Sequence, residues 1–514
     1  MTEHNIRHRG MITLSIMLAT IIQALDGTIA NVALPHMQGS LSASQDQITW
    51  ILTSFILASA IATPLTGWLC DRFSLKNVFM VSIAGFTLAS VLCGLSESLL
   101  QIVLARFLQG VFGAALVPLS QSVLLEINPR EKHGSAMAVW GMGVMVGPIL
   151  GPTLGGWLTD SYDWRWVFFI NLPVGMLAFY GVWRYIQPAE PRRGMRFDLF
   201  GFAMLSLAIG ALQMMLDRGE QNDWFNATET WIEAGTLLLS SLYFIVHTAC
   251  TQPGESFFDY RLLLNRNYAT GLLLIFVVGM VLYATRALTP TLLQGLLGYP
   301  AKTAGMVTAP SGVGTMLAMM LVGRMVGKVD LRLLLMAGFG LTALSLWQMS
   351  HYNLSLSPAD IVWPGLIQGI GLGLVFVPLS TATFATLSAQ MRTEGTAIYS
   401  LIRNIGSSIG IALVQTLLVR NSHIMEGSLA ARVSAASGGW LDPQAQGAFA
   451  LDSSNGLATM LAEIRRQASM VAYVDDFWMM FLVTSAIIPL LLLVSPGQRT
   501  TPADAAESAH AAMD

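Results

Sequence analysis

Runs of about twenty apolar residues recur along nearly the whole chain, and no other feature narrows its fold as far. The chain is 54% hydrophobic and only 11% charged, whereas a soluble domain carries roughly 25% charged residues. In lipid every backbone group must be satisfied internally, so each run reads as an α-helix. A barrel would need alternating segments of about ten residues, and the sequence has none. Fourteen spans fall near 12–33, 49–69, 78–97, 101–126, 135–158, 167–187, 198–216, 231–251, 271–293, 304–325, 331–350, 361–384, 396–419 and 477–495. The fold class is therefore an all-α integral membrane protein.

Lysine and arginine in the short loops set the orientation. One side gathers Arg7, Arg9, Arg72, Lys76, Arg130, Lys132, Arg184, Arg192, Arg193, Arg196, Arg261, Arg266, Arg324, Lys328, Arg332, Arg392 and Arg499; the other has Arg165, Arg218 and Lys302. Both termini are expected in the cytoplasm, consistent with an even number of spans. The loop 420–476 is long enough to cross regardless of its charge, and its part Leu457–Val474 has apolar residues at helical spacing that would lie along the outer surface. The polar tail 496–514 is expected to be disordered. A net charge of −3 gives no reason to expect nucleic acid, and Cys70, Cys93 and Cys250 show neither metal-ligand spacing nor disulfide logic. No cleavable signal peptide is expected, because the first apolar run is too long and lacks a small-residue cleavage site.

The chain repeats itself at a separation of about 260 residues. Leu108–Ser120 reads LQGVFGAALVPLS and Ile367–Ser380 reads IQGIGLGLVFVPLS; Gly134-Ser135-Ala136 and Gly395-Thr396-Ala397 open the corresponding later spans. Spans 1–6 then match spans 9–14, with spans 7 and 8 inserted. This divides the chain into a six-helix bundle at 1–187, the insert at 198–251, and a second bundle at 271–495. Two such halves around an axis along the membrane normal, with a site between them at the midplane, form a transporter architecture.

Asp26 is the one carboxylate that falls well inside a span by this assignment. A charge at that depth faces a bundle interior or wet cavity and marks a proton, ion or substrate path. The deep arginines are Arg106, Arg286 and Arg403. Arg106 shares a half with Asp26 and is the expected partner that senses its charge. Arg286 and Arg403 lie in the other half and suit an anionic substrate. With Gln109, Gln368 and Asn404 they make up the candidate lining of a substrate cavity. His247 reads as a structural histidine.

Two further motifs concern movement. Span five carries Gly143, Gly147, Gly151 and Gly155 four apart, with Pro148 and Pro152 between them. Such glycines form a flat face for close helix approach, and each proline removes a backbone hydrogen bond and is expected to bend the helix. This face is a candidate pivot or seal between the halves. The turn from Gly67 to Lys76 packs Asp71 and Arg72 where a breakable charge contact can hold one conformation. The sequence lacks GxxxxGK[ST], HExxH and CxxC, so an enzyme, a metal site and a cofactor have no support. A permease subunit for a separate ATPase and a non-transporting membrane sensor remain open as alternatives.

Leu25–Pro35 (LDGTIANVALP), Gly67–Lys76, Leu104–Gly113 (LARFLQGVFG), Gly147–Gly156 (GPILGPTLGG) and Trp164–Gly175 resemble the motifs of the major facilitator superfamily, specifically its fourteen-span drug:proton antiporters. Phe73 and Ser74 depart from the usual Gly-Arg of the loop motif, and Arg286 is not part of the family pattern. Leu52–Phe55, Pro118–Ser122 and Leu216–Gly219 are similar to the EmrB-type pumps of Gram-negative bacteria. That resemblance implies proton-coupled export of amphiphilic toxic compounds across the inner membrane. It also implies a periplasmic adaptor of the EmrA type and a TolC-like outer-membrane channel as partners.

Overall fold

A computed structural model describes residues 8–129, 132–187, 197–251, 259–326, 328–388, 391–432 and 454–493. The tail 496–514 and the loop charges Arg7, Arg130, Arg192, Arg193, Arg196 and Arg499 lie outside the described residues. Among the described residues thirteen helices are long and apolar enough to cross a bilayer, and one bent pair makes a fourteenth span. In chain order they are α1 Arg9–Ser40, α2 Trp50–Ala62 with Leu65–Phe73, α3 Leu75–Gly94, α4 Leu99–Ile127, α5 His133–Ser161, α6 Trp166–Tyr185 and α7 Leu199–Arg218. They continue as α8 Thr228–Cys250, α9 Arg266–Leu296, α10 Thr303–Met325, α11 Leu331–Met349, α12 Pro358–Ala385, α13 Arg392–Ala430 and α14 Ser454–Leu491. The two parts of α2 meet at 56°, at Pro64, a residue with no N–H to continue the ladder.

The neighbours repeat as the sequence does. The pairs α1·α5, α2·α4, α3·α4 and α3·α6 recur as α9·α13, α10·α12, α11·α12 and α11·α14. The two sets of helices meet along α5·α10 and α2·α13, two seams that the repeat exchanges. Loops bearing Arg72, Lys76, Arg324, Lys328, Arg332 and Arg392 gather at one end of the bundle, called the basic end below. There Lys76 Nζ donates to the Trp183 carbonyl at 2.7 Å, tying α3 to the end of α6.

The inserted pair lies outside both bundles, yet α7 is not loosely attached. Ile209 is buried with Ala60 of α2 and Leu401 of α13. Gln213 accepts from Ser408 of α13 at 2.9 Å and donates to Asp217 at 2.8 Å. α7 thus covers the α2·α13 seam. Only 11% of the apolar window of α8 is buried, so its remaining surface is left for lipid. His247 of α8 pairs with Asp198 at 2.9 Å, and the same carboxylate caps α7 by accepting from the Gly201 N–H at 2.8 Å.

One expectation needs correction. The segment Leu457–Val474 does not lie along the surface: it is part of one helix, Ser454–Ile487, continuous with the last span. Its partner α13 runs to Ala430, so nearly all the described residues of the 420–476 segment are helical, and the two extensions pair through Arg465 Nε and Glu426 at 2.7 Å. A helix of 39 residues is about 58 Å long, well beyond a hydrocarbon core of about 30 Å. Helix α5 is continuous through Pro148 and Pro152; the neighbouring helices hold it across the missing hydrogen bonds, as packed membrane helices allow.

Candidate functional site

Asp26 lies seventeen residues into α1, about 26 Å along a helix, and it is fully buried. Its Oδ2 accepts from Arg106 Nη1 at 2.6 Å. Its Oδ1 accepts from Gln109 Nε2 at 2.8 Å and from Asn171 Nδ2 at 3.0 Å. Arg106 and Gln109 sit three apart on α4 and so share a face. Gln109 also accepts from Arg106 Nη1 at 2.8 Å.

The guanidinium is held on every side. Arg106 Nε donates to the Ile51 carbonyl of α2 at 3.2 Å, and the group lies over the Phe55 ring at 4.3 Å and near that of Phe168 at 5.7 Å. This reach needs α2 and α4 to touch, and Gly110 permits it: a Cβ there would run into the Phe55 carbonyl. Asn171 is fixed in turn through Ser90 Oγ at 2.9 Å, whose hydroxyl donates to the Phe168 carbonyl at 2.9 Å. Five helices therefore converge on one carboxylate.

Gln109 thus belongs with Asp26, inside the first half, and not to a cavity between the halves. The other expected cavity residues do not assemble into one cluster. Gln368 is buried and donates to Thr285 Oγ1 at 3.1 Å. The next residue, Arg286, points elsewhere, with Nη2 3.5 Å from Met145 Sδ of α5 in the opposite half. Arg403 is buried, its carbonyl against Gly279 of α9 and its Nη2 3.5 Å from Asn404 Oδ1. Among the described residues no hydrogen bond joins Arg403 to Arg286 or Gln368. Asn171 was not among the expected site residues; its signal is a lone amide inside the apolar run FFINLPVG.

The halves are sealed at the basic end. Ser122 and Thr393 hydroxyls lie 2.9 Å apart. Thr396 Oγ1 donates to the Pro118 carbonyl at 3.1 Å, and Arg392 Nη1 to the Leu125 carbonyl at 3.4 Å. Ser135 Oγ donates to the Gly323 carbonyl at 2.8 Å, and Trp140 stacks on Phe376 with centroids 5.6 Å apart. The turn Gly67–Lys76 takes part: a Cβ on Gly67 would stand 3.2 Å from Glu394 Cβ of α13. Beyond it Asp71 is half-buried and Arg72 exposed.

The glycine face of α5 has a different neighbour from the one expected. Gly143, Gly147, Gly151 and Gly155 all face α1 of their own half. A Cβ on Gly147 would strike the backbone of Ala24 and Leu25, and Thr28 Oγ1 donates to the Gly147 carbonyl at 3.0 Å. The seal with α10 uses other positions on α5, including Gly134, Ser135 and Ile149. The glycines therefore press the Asp26 helix close, a packing role that adjoins the buried charge.

A family model described as the Major Facilitator Superfamily matches residues 16–411. The fatty acid resistance protein FarB of Neisseria gonorrhoeae is 37% identical over 80% of this chain and 80% of its own. The multidrug export protein EmrB of Haemophilus influenzae is 36% identical over 78% of this chain and 79% of its own. EmrB of Escherichia coli K12 is 33% identical over 95% of both chains. Among solved structures, the human organic anion transporter MFSD10 (TETRAN) superposes with a TM-score of 0.59 at 13% identity, covering 92% of this chain and 98% of that one. The proton:xylose symporter XylE does so with 0.58 at 13% identity, covering 93% and 96%; at such identities these two speak for the fold alone.

Proposed function

The chain belongs to the major facilitator superfamily, and on that premise we propose that it is a proton-driven exporter of amphiphilic compounds. The observation that carries this reading is the sealed Asp26–Arg106 pair, with side-chain exposures of 0% and 1%. Neutralising Asp26 with a proton leaves Arg106 buried without its counter-charge. Breaking a buried pair from one side costs about 3–5 kcal/mol. Moving a two-state protein from 1:99 to 99:1 takes about 5.5 kcal/mol. One proton at Asp26 thus supplies most of what a switch between two arrangements needs.

The sign of the exchange follows. An ionised Asp26 holds α1, α4 and α6 together through Arg106, Gln109 and Asn171. Protonation loosens that hub and frees the guanidinium to seek another acceptor. With the basic end in the cytoplasm, as the loop charges support, the described state is closed toward the cytoplasm. Proton entry from outside then precedes reopening inward. The names of the relatives support toxic amphiphiles as the substrate class, and their bacterial sources together with the apolar helices support the bacterial inner membrane as the location. An adaptor of the EmrA type and a TolC-like channel fit the same reading, docking on the extensions of α13 and α14. The boundaries 1–187, 198–251 and 271–495 are read as the two rocking bodies and the insert.

The test is flux. In proteoliposomes holding the purified chain without nucleotide, an imposed pH gradient is expected to drive a dye such as rhodamine 6G against its own gradient. Flux that ignores the pH gradient, or that requires ATP, overturns the reading. The seal makes a second prediction. In a chain with Cys70, Cys93 and Cys250 replaced by Ala, Ser122→Cys with Thr393→Cys places two thiols where hydroxyls now touch. Oxidation is expected to stop most of the flux and reduction to restore it; unchanged flux after complete cross-linking would mean that this contact does not open during transport.

A further inference from the structure

The second half contains a buried carboxylate that the span boundaries conceal. Asp476 is 1% exposed, and both of its oxygens are buried without a hydrogen-bond partner among the described residues. Hydropathy ends the last span at its threshold, but α14 runs straight through it. An ionised carboxylate buried without a partner is among the most costly arrangements in a protein. A group like this carries a proton, or has one delivered and removed.

Its surroundings supply a route. On α14 the residues Arg465, Ser469, Tyr473, Asp476 and Met480 recur three or four apart, and so form one stripe. The first three line a cavity of about 760 Å³ between α13, α14 and the π-helical end of α9 at Thr291–Leu296. Glu426 and His423 of α13 line the same cavity, and the Arg465–Glu426 pair stands within its wall. Thr291 lines the cavity beside Tyr473. Three residues deeper, a rise of about 4.5 Å, comes Asp476. One turn beyond, Met480 Sδ lies 3.7 Å from Thr285 Oγ1, which accepts from Gln368. The stripe runs from the end opposite the basic loops to the level of Gln368.

The titratable groups around Asp476 can be named. Tyr473 and the exposed Asp475 share its helix. His423 and Glu426 come from α13, and Tyr352, beyond α11, packs on Phe477 with centroids 5.8 Å apart. Of the two cations of α9, Arg266 opens the helix and Arg286 is directed at Met145 in the opposite half.

We propose that Asp476 is a second proton-carrying carboxyl of this chain, loaded and emptied through the cavity at the outer ends of α9, α13 and α14. The step is a simple transfer: the Asp476 O–H bond breaks, the proton passes to water in the cavity, and the carboxylate remains until it is reprotonated. The idea rests on the proton-driven reading but has its own readout. In infrared spectra of the purified chain in nanodiscs near neutral pH, the C=O stretch of a protonated carboxylic acid is expected. Asp476→Asn removes that band, Asp26→Asn keeps it, and Asp476→Glu shifts it. In proteoliposomes, Asp476→Asn is expected to keep pH-driven rhodamine 6G flux with one proton fewer per dye. An unchanged band in Asp476→Asn, or in Asp476→Glu if the Asn variant does not fold, overturns the proposal. An unaltered proton-to-dye ratio in a variant that transports overturns it as well. Absence of pH-driven flux in the unsubstituted chain, with the Asp476 band present, would sink the exporter reading instead.

Discussion

Asp26→Asn is expected to abolish flux driven by a pH gradient in proteoliposomes. The amide keeps the shape and still accepts hydrogen bonds at one oxygen, but it cannot take up or release a proton. If the coupling energy is the roughly 3–5 kcal/mol of a broken buried pair, the loss is roughly a hundred- to five-thousandfold. The substitution also strands the Arg106 charge, so the variant is expected to melt earlier than the parent. Adding Arg106→Gln should recover part of that stability, because removing both charges is milder than removing one. It should not recover flux. Gradient-driven flux at the parental rate in Asp26→Asn would remove Asp26 from the mechanism, whatever happens to the melting temperature.

Gly147→Val is expected to be nearly as severe, although Gly147 touches no charge. The atoms that a Cβ would meet belong to the backbone of Ala24 and Leu25, so no side-chain rotation relieves the clash. Helix α1 must move away from α5, and Asp26 moves with it. Overpacking of this kind typically costs about 1–3 kcal/mol, and here it also breaks the Thr28–Gly147 hydrogen bond. Flux should fall close to background while much of the protein still reaches the membrane. Gly156→Val is the matched control: it lies on the same helix, and a Cβ there meets nothing within 4 Å. Its flux should stay near that of the parent. Equal flux in the two variants would mean that the close approach of α1 and α5 does not matter for transport.

Much of this architecture is legible in the residues. Apolar runs and loop charges place the spans, and the QG and PLS segments near positions 110 and 370 anticipate the repeated neighbour pattern. Arg106 stands out because it shares a half with the only deep carboxylate that hydropathy reveals. The remainder is hidden for physical reasons. Gln109 looks equivalent to Gln368 by the repeat, yet the two halves use the position differently: one glutamine serves a charge pair and the other a threonine hydroxyl. Asn171 is ordinary polar punctuation until α6 swings it against α1. Hydropathy ends a span where the bilayer ends, but a helix persists while a neighbour covers it; α13 and α14 cover each other, so Asp476 looks like a loop residue and is not. The direction of a helix face is likewise silent in composition. The α5 glycines announce a close approach without saying to which half.

The covering of one seam by α7 has a consequence for the plane of the membrane. The repeat alone would give the interior two equivalent lateral faces, at α5·α10 and α2·α13. Ile209 against Ala60 and Leu401, and Gln213 with Ser408, shutter the second face. A greasy solute drifting within the bilayer therefore meets a molecule with a front and a back. One lateral face presents the α5·α10 seam itself to the bilayer and the other presents α7 in place of a seam, so the two sides of the protein offer different surfaces to their neighbours in the membrane.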